Sequence, residues 1–407
     1  MSESTIPSGG TRKRLDHIDA MRPLKQFAVI STHALLFLVP PTLVQENLLI
    51  GTHFSREAFL FVSACMLTYS YRNLDHFNLA HYWKRRWWSV GVPYLTWTVI
   101  YFLYLTRFST SGLFPANQWD STPFWSWAML NHFWQLMSQG YYHLYYLLVI
   151  LQFYAVFPLL LRLAHRFRDY HGRIFIAIVI LHSVYAATFR SIFSFLTTIH
   201  LLPHGPYWFW QSRLFLSYLP FLVGGLFVAL RLDEFHDWVL RRKFVIPVFT
   251  VAAYGVALVA NSFTTPTWWD RILAPGYDPF GFVTLPYNIG AVLCIYLLGV
   301  WLVSPRRSDL TRRAVNVGSD GAYGIYLAQM IWIPIIKDLS ARYAGGVPWP
   351  VRAVVGVLVV YALGLAVSAL AARTPFARAL AGRSRIPWRT PLVRRTSQGP
   401  LDATETD

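Results

Sequence analysis

The chain has 407 residues, of which 55% are hydrophobic, 17% aromatic and only 14% charged. Soluble domains carry about a quarter charged residues. Together with a mean hydropathy of +0.38 and recurrent long apolar runs, this excludes a disordered chain, a soluble multidomain enzyme and a fibrous protein.

The net charge of +17 is spread over short basic clusters between the apolar runs, with no basic stripe interleaved with aromatics on one helix. It reads as topogenic charge beside anionic headgroups rather than as a nucleic-acid surface. Residues 1–23 are polar and basic, a cytoplasmic segment. The apolar run that follows is long and lacks a small-residue cleavage site, so it predicts a first transmembrane helix and not a signal peptide.

Apolar windows of about 20 residues then predict ten spans, at 24–43, 51–71, 88–106, 141–161, 174–196, 213–231, 244–262, 284–303, 321–340 and 351–372. The runs are continuous, whereas barrel strands alternate over about ten residues. The expected fold is therefore an all-α polytopic membrane protein with a ten-helix membrane domain over residues 24–372. Most of the 36 Lys and Arg residues fall at the N-terminus, after the even-numbered spans and in the tail. That asymmetry predicts both termini in the cytoplasm and a multi-pass protein of the plasma (inner) membrane.

The opposite connections are weakly charged and aromatic. Residues 107–140 hold Trp119, Trp125, Trp127 and Trp134, residues 197–212 hold His200, His204, Trp208 and Trp210, and residues 263–283 hold Trp268 and Trp269. Such loops suit the membrane interface as interfacial helices or re-entrant pieces. Residues 373–407 form a basic tail whose Arg, Pro and Ser content and acidic end predict disorder. Cys65 and Cys294 each fall inside a span and indicate no disulfide framework, zinc finger or redox pair.

Ionisable groups at membrane depth are costly and therefore functional candidates. Arg22 and His33 in the first span are eleven residues apart. On a helix they fall within about 20° of one face and about 16 Å apart along the axis. An always-charged fork at the cytoplasmic mouth suits a phosphate or carboxylate, and a deeper histidine suits general-base attack by a hydroxyl. The alternative is ordinary positive-inside charge for Arg22 and a hydrogen-bonded packing role for His33.

Other polar residues rank behind this pair. Arg56 and Glu57 are sequence neighbours, need not face each other on a helix, and leave Glu57 open to a partner on another span. His143 opens the fourth span at the interface. His182 and Arg190 are eight apart, near one face of the fifth span. His200 and His204 have i, i+4 spacing, but Pro203 interrupts and no carboxylate accompanies them, so no metal site is expected.

Five stretches resemble, in order, motifs of the acyltransferase-3 family of integral membrane acyltransferases. Asp19-Ala20-Met21-Arg22, ten residues and His33 are similar to the family's Asp-Gly-Leu-Arg, ten residues and His. Ser55 through Ser63-Ala64 resembles an aromatic-rich stretch ending in Ser-Gly. Tyr82-Trp83-Lys84-Arg85-Arg86 with Pro93-Tyr94 resembles a basic loop leading to Pro-x-Tyr. His143-Leu144-Tyr145-Tyr146-Leu147 resembles His-Leu-Trp-Tyr-Leu, and Ala322-Tyr323-Gly324-Ile325-Tyr326-Leu327 resembles Ser-Tyr-Gly-Ile-Tyr-Leu. Two positions differ: Ala64 stands where the family has Gly, and Gln329 where the late motif continues to His. Glutamine hydrogen-bonds but does not transfer a proton at neutral pH.

The resemblance implies an O-acyltransferase that moves an acyl group, acetyl above all, from acyl-CoA as co-substrate to a hydroxyl of a sugar, glycolipid, cell-wall polymer or secondary metabolite, with no bound cofactor or metal. It implies His33 as the base and Arg22 as the donor-positioning residue. Arg85, Arg86, Glu57, Ser63, His143, Tyr323, Tyr326 and Gln329 are the substrate-binding candidates. The rival reading is a transporter or flippase-like exporter of a glycan or small metabolite, with the polar pair lining its route. An enzyme needs acyl-CoA and a titrating His33, whereas a transporter needs neither.

Overall fold

The computed structural model describes residues 15–72, 77–108, 122–201, 207–262 and 280–388. Trp119, His204, Trp268, Trp269 and the basic residues before 15 or after 388 lie outside them. The described chain is helical, with no strand among the described residues: α1 (Asp16–Leu38), α2 (Leu43–Tyr71), α3 (Leu79–Arg86), α4 (Val92–Leu103), α5 (Trp127–Gln139), α6 (Tyr145–Arg166), α7 (His171–Thr198), α8 (Tyr207–Gln211), α9 (Leu219–Leu230), α10 (Leu232–Arg241), α11 (Val245–Ser262), α12 (Leu285–Leu302), α13 (Asp309–Tyr343), α14 (Trp349–Ala371) and α15 (Ala377–Ala381).

Each apolar run coincides with a helix, but among the described residues six helices are long and apolar enough to cross a membrane, or seven if a pair bent by 107° at Arg231 is one span. The six are α3 with α4, α6, α7 with the turn before it, α11, α12 and α14. α7 and α11 turn large apolar side chains outward, with Ile176, Ile180 and Leu181 on one and Val248, Val251 and Val256 on the other all exposed. A water-facing surface of that kind would be unstable, and lipid is the solvent that suits it.

The remaining long helices, α1, α2 and α13, have 23, 29 and 35 residues and carry charge within them. They form the centre. α1 packs against α2, α12, α13 and α14, and α2 packs against α1, α9, α11 and α12. One core, including Ile30, Leu60, Tyr101, Phe153 and Ile325, joins α1, α2, α4, α6 and α13, and a second, including Met21, Cys65 and Tyr296, joins α1, α2 and α12.

Local chemistry sets the helix bounds. α1 starts before the expected residue 24 because Ile18, Asp19, Ala20, Met21 and Lys25 of its first turns are buried and Arg22 is paired with Asp19. It stops before Pro40-Pro41, which cannot continue it. Gln45 Nε2 donates to the freed carbonyls of Leu35 at 2.8 Å and Val39 at 3.1 Å. Thr42 then caps α2 by accepting from Gln45 N. The fourth run begins as a helix only at Tyr145, since Tyr142 has φ +36°, a left-handed conformation costly for a bulky residue.

Where the family resemblance replaces glycine by Ala64, the close approach is supplied from the facing helix. A Cβ on Gly225 of α9 would lie 2.3 Å from the Phe61 carbonyl oxygen and 3.1 Å from Ala64 Cβ. Small residues let membrane helices touch backbone to backbone. Here one glycine on α9 does so for the pair.

Residues 373–388, assigned by composition to a disordered tail, are folded. Ala371, Ala372, Ala381, Leu380 and Ile386 form a small apolar cluster. Trp97 Nε1 donates to the Leu380 carbonyl at 3.0 Å, and Ile386 N to the Ala372 carbonyl at 2.8 Å. Apolar residues scattered among the arginines supply that anchorage.

Candidate functional site

α1, α2 and α13 surround two cavities arranged along their length. The first, about 370 Å³, is lined by Arg22 and Lys25 of α1, by Phe59, Val62, Ser63 and Met66 of α2, by Ser319, Asp320 and Tyr323 of α13, by Ala381 at the end of α15, and by Gly382 and Arg383 after it. Asp19, one turn before Arg22, places a carboxylate oxygen 3.3 Å from its guanidinium. Arg22 is thereby oriented and stays about a third exposed, at 34%. Lys25 is 4% exposed.

The segment after α15 closes one wall. Gly382 has φ +61°, and a Cβ there would lie 2.5 Å from the Tyr323 ring and 3.0 Å from the Ser89 carbonyl oxygen. Only glycine has both the conformation and the room. Arg383 donates to the Asp320 carbonyl at 3.2 Å, which fixes the strap on α13. Three basic side chains, Arg22, Lys25 and Arg383, thus border one cavity, with the Asp320 side chain beside them. That is the arrangement an anionic ligand requires.

The second cavity, about 810 Å³, is lined by Thr32 and His33 of α1, by His53 and Arg56 of α2, by His132 and Gln139 of α5, by Tyr141, Tyr142 and His143, by Tyr207, Trp208 and Phe209 of α8, by Phe280, and by Tyr326 of α13. His33 Nδ1 is buried and makes no hydrogen bond. The strained Tyr142 brings its ring to 5.3 Å from that of His33, and the next residue, His143, lies 6.4 Å from it. Tyr326 donates its hydroxyl to the His143 carbonyl, pinning this turn to α13.

Other walls are held by backbone. His53 donates from Nδ1 to the Leu49 carbonyl at 2.8 Å. Arg213 lies 3.4 Å over the Phe209 ring and donates to the carbonyls of Gln139 at 2.7 Å and Phe209 at 2.8 Å. It ties α5 to α8 across the cavity. The chamber is mostly aromatic with a few polar groups, a lining suited to an organic ligand bearing a hydroxyl.

The residues named from sequence divide accordingly. Arg22, Ser63 and Tyr323 border the first cavity, and His33, His143 and Tyr326 the second. Arg85 is exposed, and Arg86 lies among the rings of Tyr71, Tyr82 and Tyr154, at 5.6, 5.9 and 5.5 Å. Neither borders the two cavities described above. Gln329 is fully buried and accepts a 3.4 Å bond from Gln26 Nε2, so it serves the interior between α1 and α13. Glu57 is buried and contacts its neighbour Arg56 at 3.5 Å, although adjacent helical residues need not meet. His182 is buried against α9's approach and Arg190 lies 5.6 Å from the Tyr207 ring; neither borders the two chambers.

Sequence reasoning passed over Lys25, Phe59, His53, Tyr142, Arg213 and Arg383. Lys25 had a signal, as a lysine three residues past Arg22 on an apolar helix. The others become visible only when distant segments meet, as when Arg383 reaches Asp320.

No curated protein and no solved structure matches this chain. A family model described as "Acyltransferase domain" matches residues 15–373, nearly the whole described chain. The matched stretch contains the three central helices, the second cavity and all of the first but Ala381, Gly382 and Arg383, and the chain belongs to the acyltransferase-3 family of membrane acyltransferases.

Proposed function

We propose that the protein transfers an acyl group, acetyl in the first instance, from acyl-CoA to a hydroxyl of a sugar, glycolipid, wall polymer or secondary metabolite. The observation that carries the reading is the pairing of a cavity bordered by Arg22 and Arg383 with an aromatic, histidine-bearing one along the same helix. CoA is a polyanion with a long, slender arm ending in the thioester. Arg22, oriented by Asp19, and Arg383 hold its phosphates, and the arm extends along α1 toward His33. The acceptor occupies the His33 chamber, where aromatic faces cover its apolar surface.

His33 takes the proton of the acceptor hydroxyl as that oxygen attacks the thioester carbonyl. A carbon–oxygen bond forms, the carbon–sulfur bond breaks, and the proton passes from His33 to the departing CoA sulfur. Tyr142 and His143 position the imidazole. With ten spans and both termini in the cytoplasm of a plasma-membrane protein, Arg22 faces cytoplasmic acyl-CoA, in keeping with the basic residues on that side. Family membership favours this reading over a transporter. Membranes holding the protein, given radiolabelled acetyl-CoA, should yield label in CoA-free glycan, lipid or small-molecule fractions. Its absence across several acyl-CoAs and acceptors would contradict the reading.

A further inference from the structure

The two chambers share the walls of three helices, and each helix changes chamber within about a turn. α1 does so between Lys25 and Val29, α13 between Tyr323 and Tyr326, and α2 at Phe59, which borders both. Four helical residues rise about 6 Å. The partition is therefore one layer of side chains.

The members of that layer are held in different ways. Tyr326 is tied by its hydroxyl to the His143 carbonyl. Gln26 and Gln329 are bonded to each other and fully buried. Phe59 has no polar atom to anchor it. Its ring lies 5.5 Å from that of Tyr326 and 5.1 Å from that of Tyr146, and Lys25 Nζ sits 3.2 Å from its centroid. Lys25 and Phe59 are 4% and 8% exposed. Among the described residues Lys25 makes no ion pair, and its amine rests on the ring face. Phe59, which no polar tie fixes, is thus held by an amine that also borders the Arg22 chamber.

We propose that Phe59, held by Lys25, is the gate between the two chambers and sets the size of the acyl group that passes. This rests on the donor and acceptor assignment above. A thioester approaching from the Arg22 chamber reaches His33 only by displacing the ring. A short acyl group passes after a side-chain rotation, whereas a long chain stays on the Arg22 side. Truncating Phe59 joins the chambers and gives a long acyl chain the aromatic cavity to enter.

Two measurements test the gate separately from the chemistry. With Thr32→Cys in the wall of the His33 chamber, a small membrane-impermeant methanethiosulfonate is applied to inside-out vesicles, and labelling is counted above that of the native cysteines in the parent chain. Labelling should be slow with Phe59 present, several-fold faster with Lys25→Met or Phe59→Leu, and fastest with Phe59→Ala. Equal rates would overturn the gate, whether or not the protein transfers acyl groups. In the second, the purified full chain is titrated with acetyl-CoA and with octanoyl-CoA. Phe59→Ala should bind octanoyl-CoA about tenfold more tightly than the wild type does and leave acetyl-CoA within about a factor of two. An unchanged ratio of the two affinities would overturn the size selection. No binding of either acyl-CoA to the wild type would overturn the donor assignment and the size selection with it, and the labelling rates would still decide the gate.

Discussion

Arg22 and His33 lie on one face of α1 and yet open into different cavities. About 16 Å of helix separates them. In the proposed reaction one helix thereby spaces the donor-holding guanidinium and the base by a fixed distance, and Lys25 lies between them. That spacing suits a ligand with charge at one end and reactivity at the other.

Replacing Arg22 by Lys should raise the KM for acyl-CoA about tenfold, or about 1.4 kcal/mol, with a smaller change in kcat, because a point charge does not reproduce the guanidinium fork. Asp19→Asn should act in the same direction and less strongly, since Asp19 only orients that fork at 3.3 Å. Steady-state kinetics with varied donor decide it. An unchanged donor KM in Arg22→Lys would exclude a phosphate contact.

The strap after α15 should matter for the same substrate. Arg383→Ala is expected to weaken acyl-CoA binding several-fold while leaving thermal stability nearly intact. Gly382→Val should lose both, because its Cβ would meet Tyr323 at 2.5 Å from a backbone at φ +61°. Titration with acetyl-CoA beside a thermal melt separates the two effects. If Arg383→Ala binds the donor normally, the strap is a wall and no more.

Apolar windows in the sequence predict spans at all three central helices, and yet these are the least apolar of the long helices, for a physical reason. α1, α2 and α13 are not among the six sufficiently apolar helices, because they carry the Asp19, Arg22, Lys25, His33, His53, Arg56, Glu57 and Asp320 that build the cavities. Periodic apolar runs located the helices; the polar interruptions located α1's part of the site. The rest depends on contacts across long stretches of chain. Gly382 meets Tyr323, and Trp97 holds Leu380, but no local spacing announces either. Gln329 stands where the family motif has His, and it serves as an interior hydrogen bond to Gln26.

Gly225→Ala should lower stability by about 1–3 kcal/mol, since its new Cβ would press on the Phe61 carbonyl oxygen. Gly255→Ala on α11, where no atom lies within 4 Å, should be neutral or stabilising by up to about 1 kcal/mol. Thermal unfolding of the two variants in one detergent compares the signs directly. Equal losses would mean that helix propensity rather than close packing governs both sites.

Tyr142→Asn should uncouple stability from activity. Asn tolerates the left-handed backbone that Tyr142 adopts at φ +36°, releasing strain of about 1 kcal/mol. The loss should therefore be smaller than the about 3–5 kcal/mol typical of truncating a core aromatic. Turnover should fall sharply, because the ring beside His33 is gone. A variant with normal turnover would show that Tyr142 does not position the imidazole.

The central claim is that His33 is the proton acceptor of an acyl transfer. Its most direct test gives radiolabelled acetyl-CoA to membranes holding equal amounts of wild type and His33→Ala, each checked for membrane insertion. Label is then followed into CoA-free glycan, lipid and small-molecule fractions. Transfer by the wild type and its loss, by at least about a hundredfold, in an inserted His33→Ala chain is the predicted result. Normal turnover in that variant would contradict the mechanism.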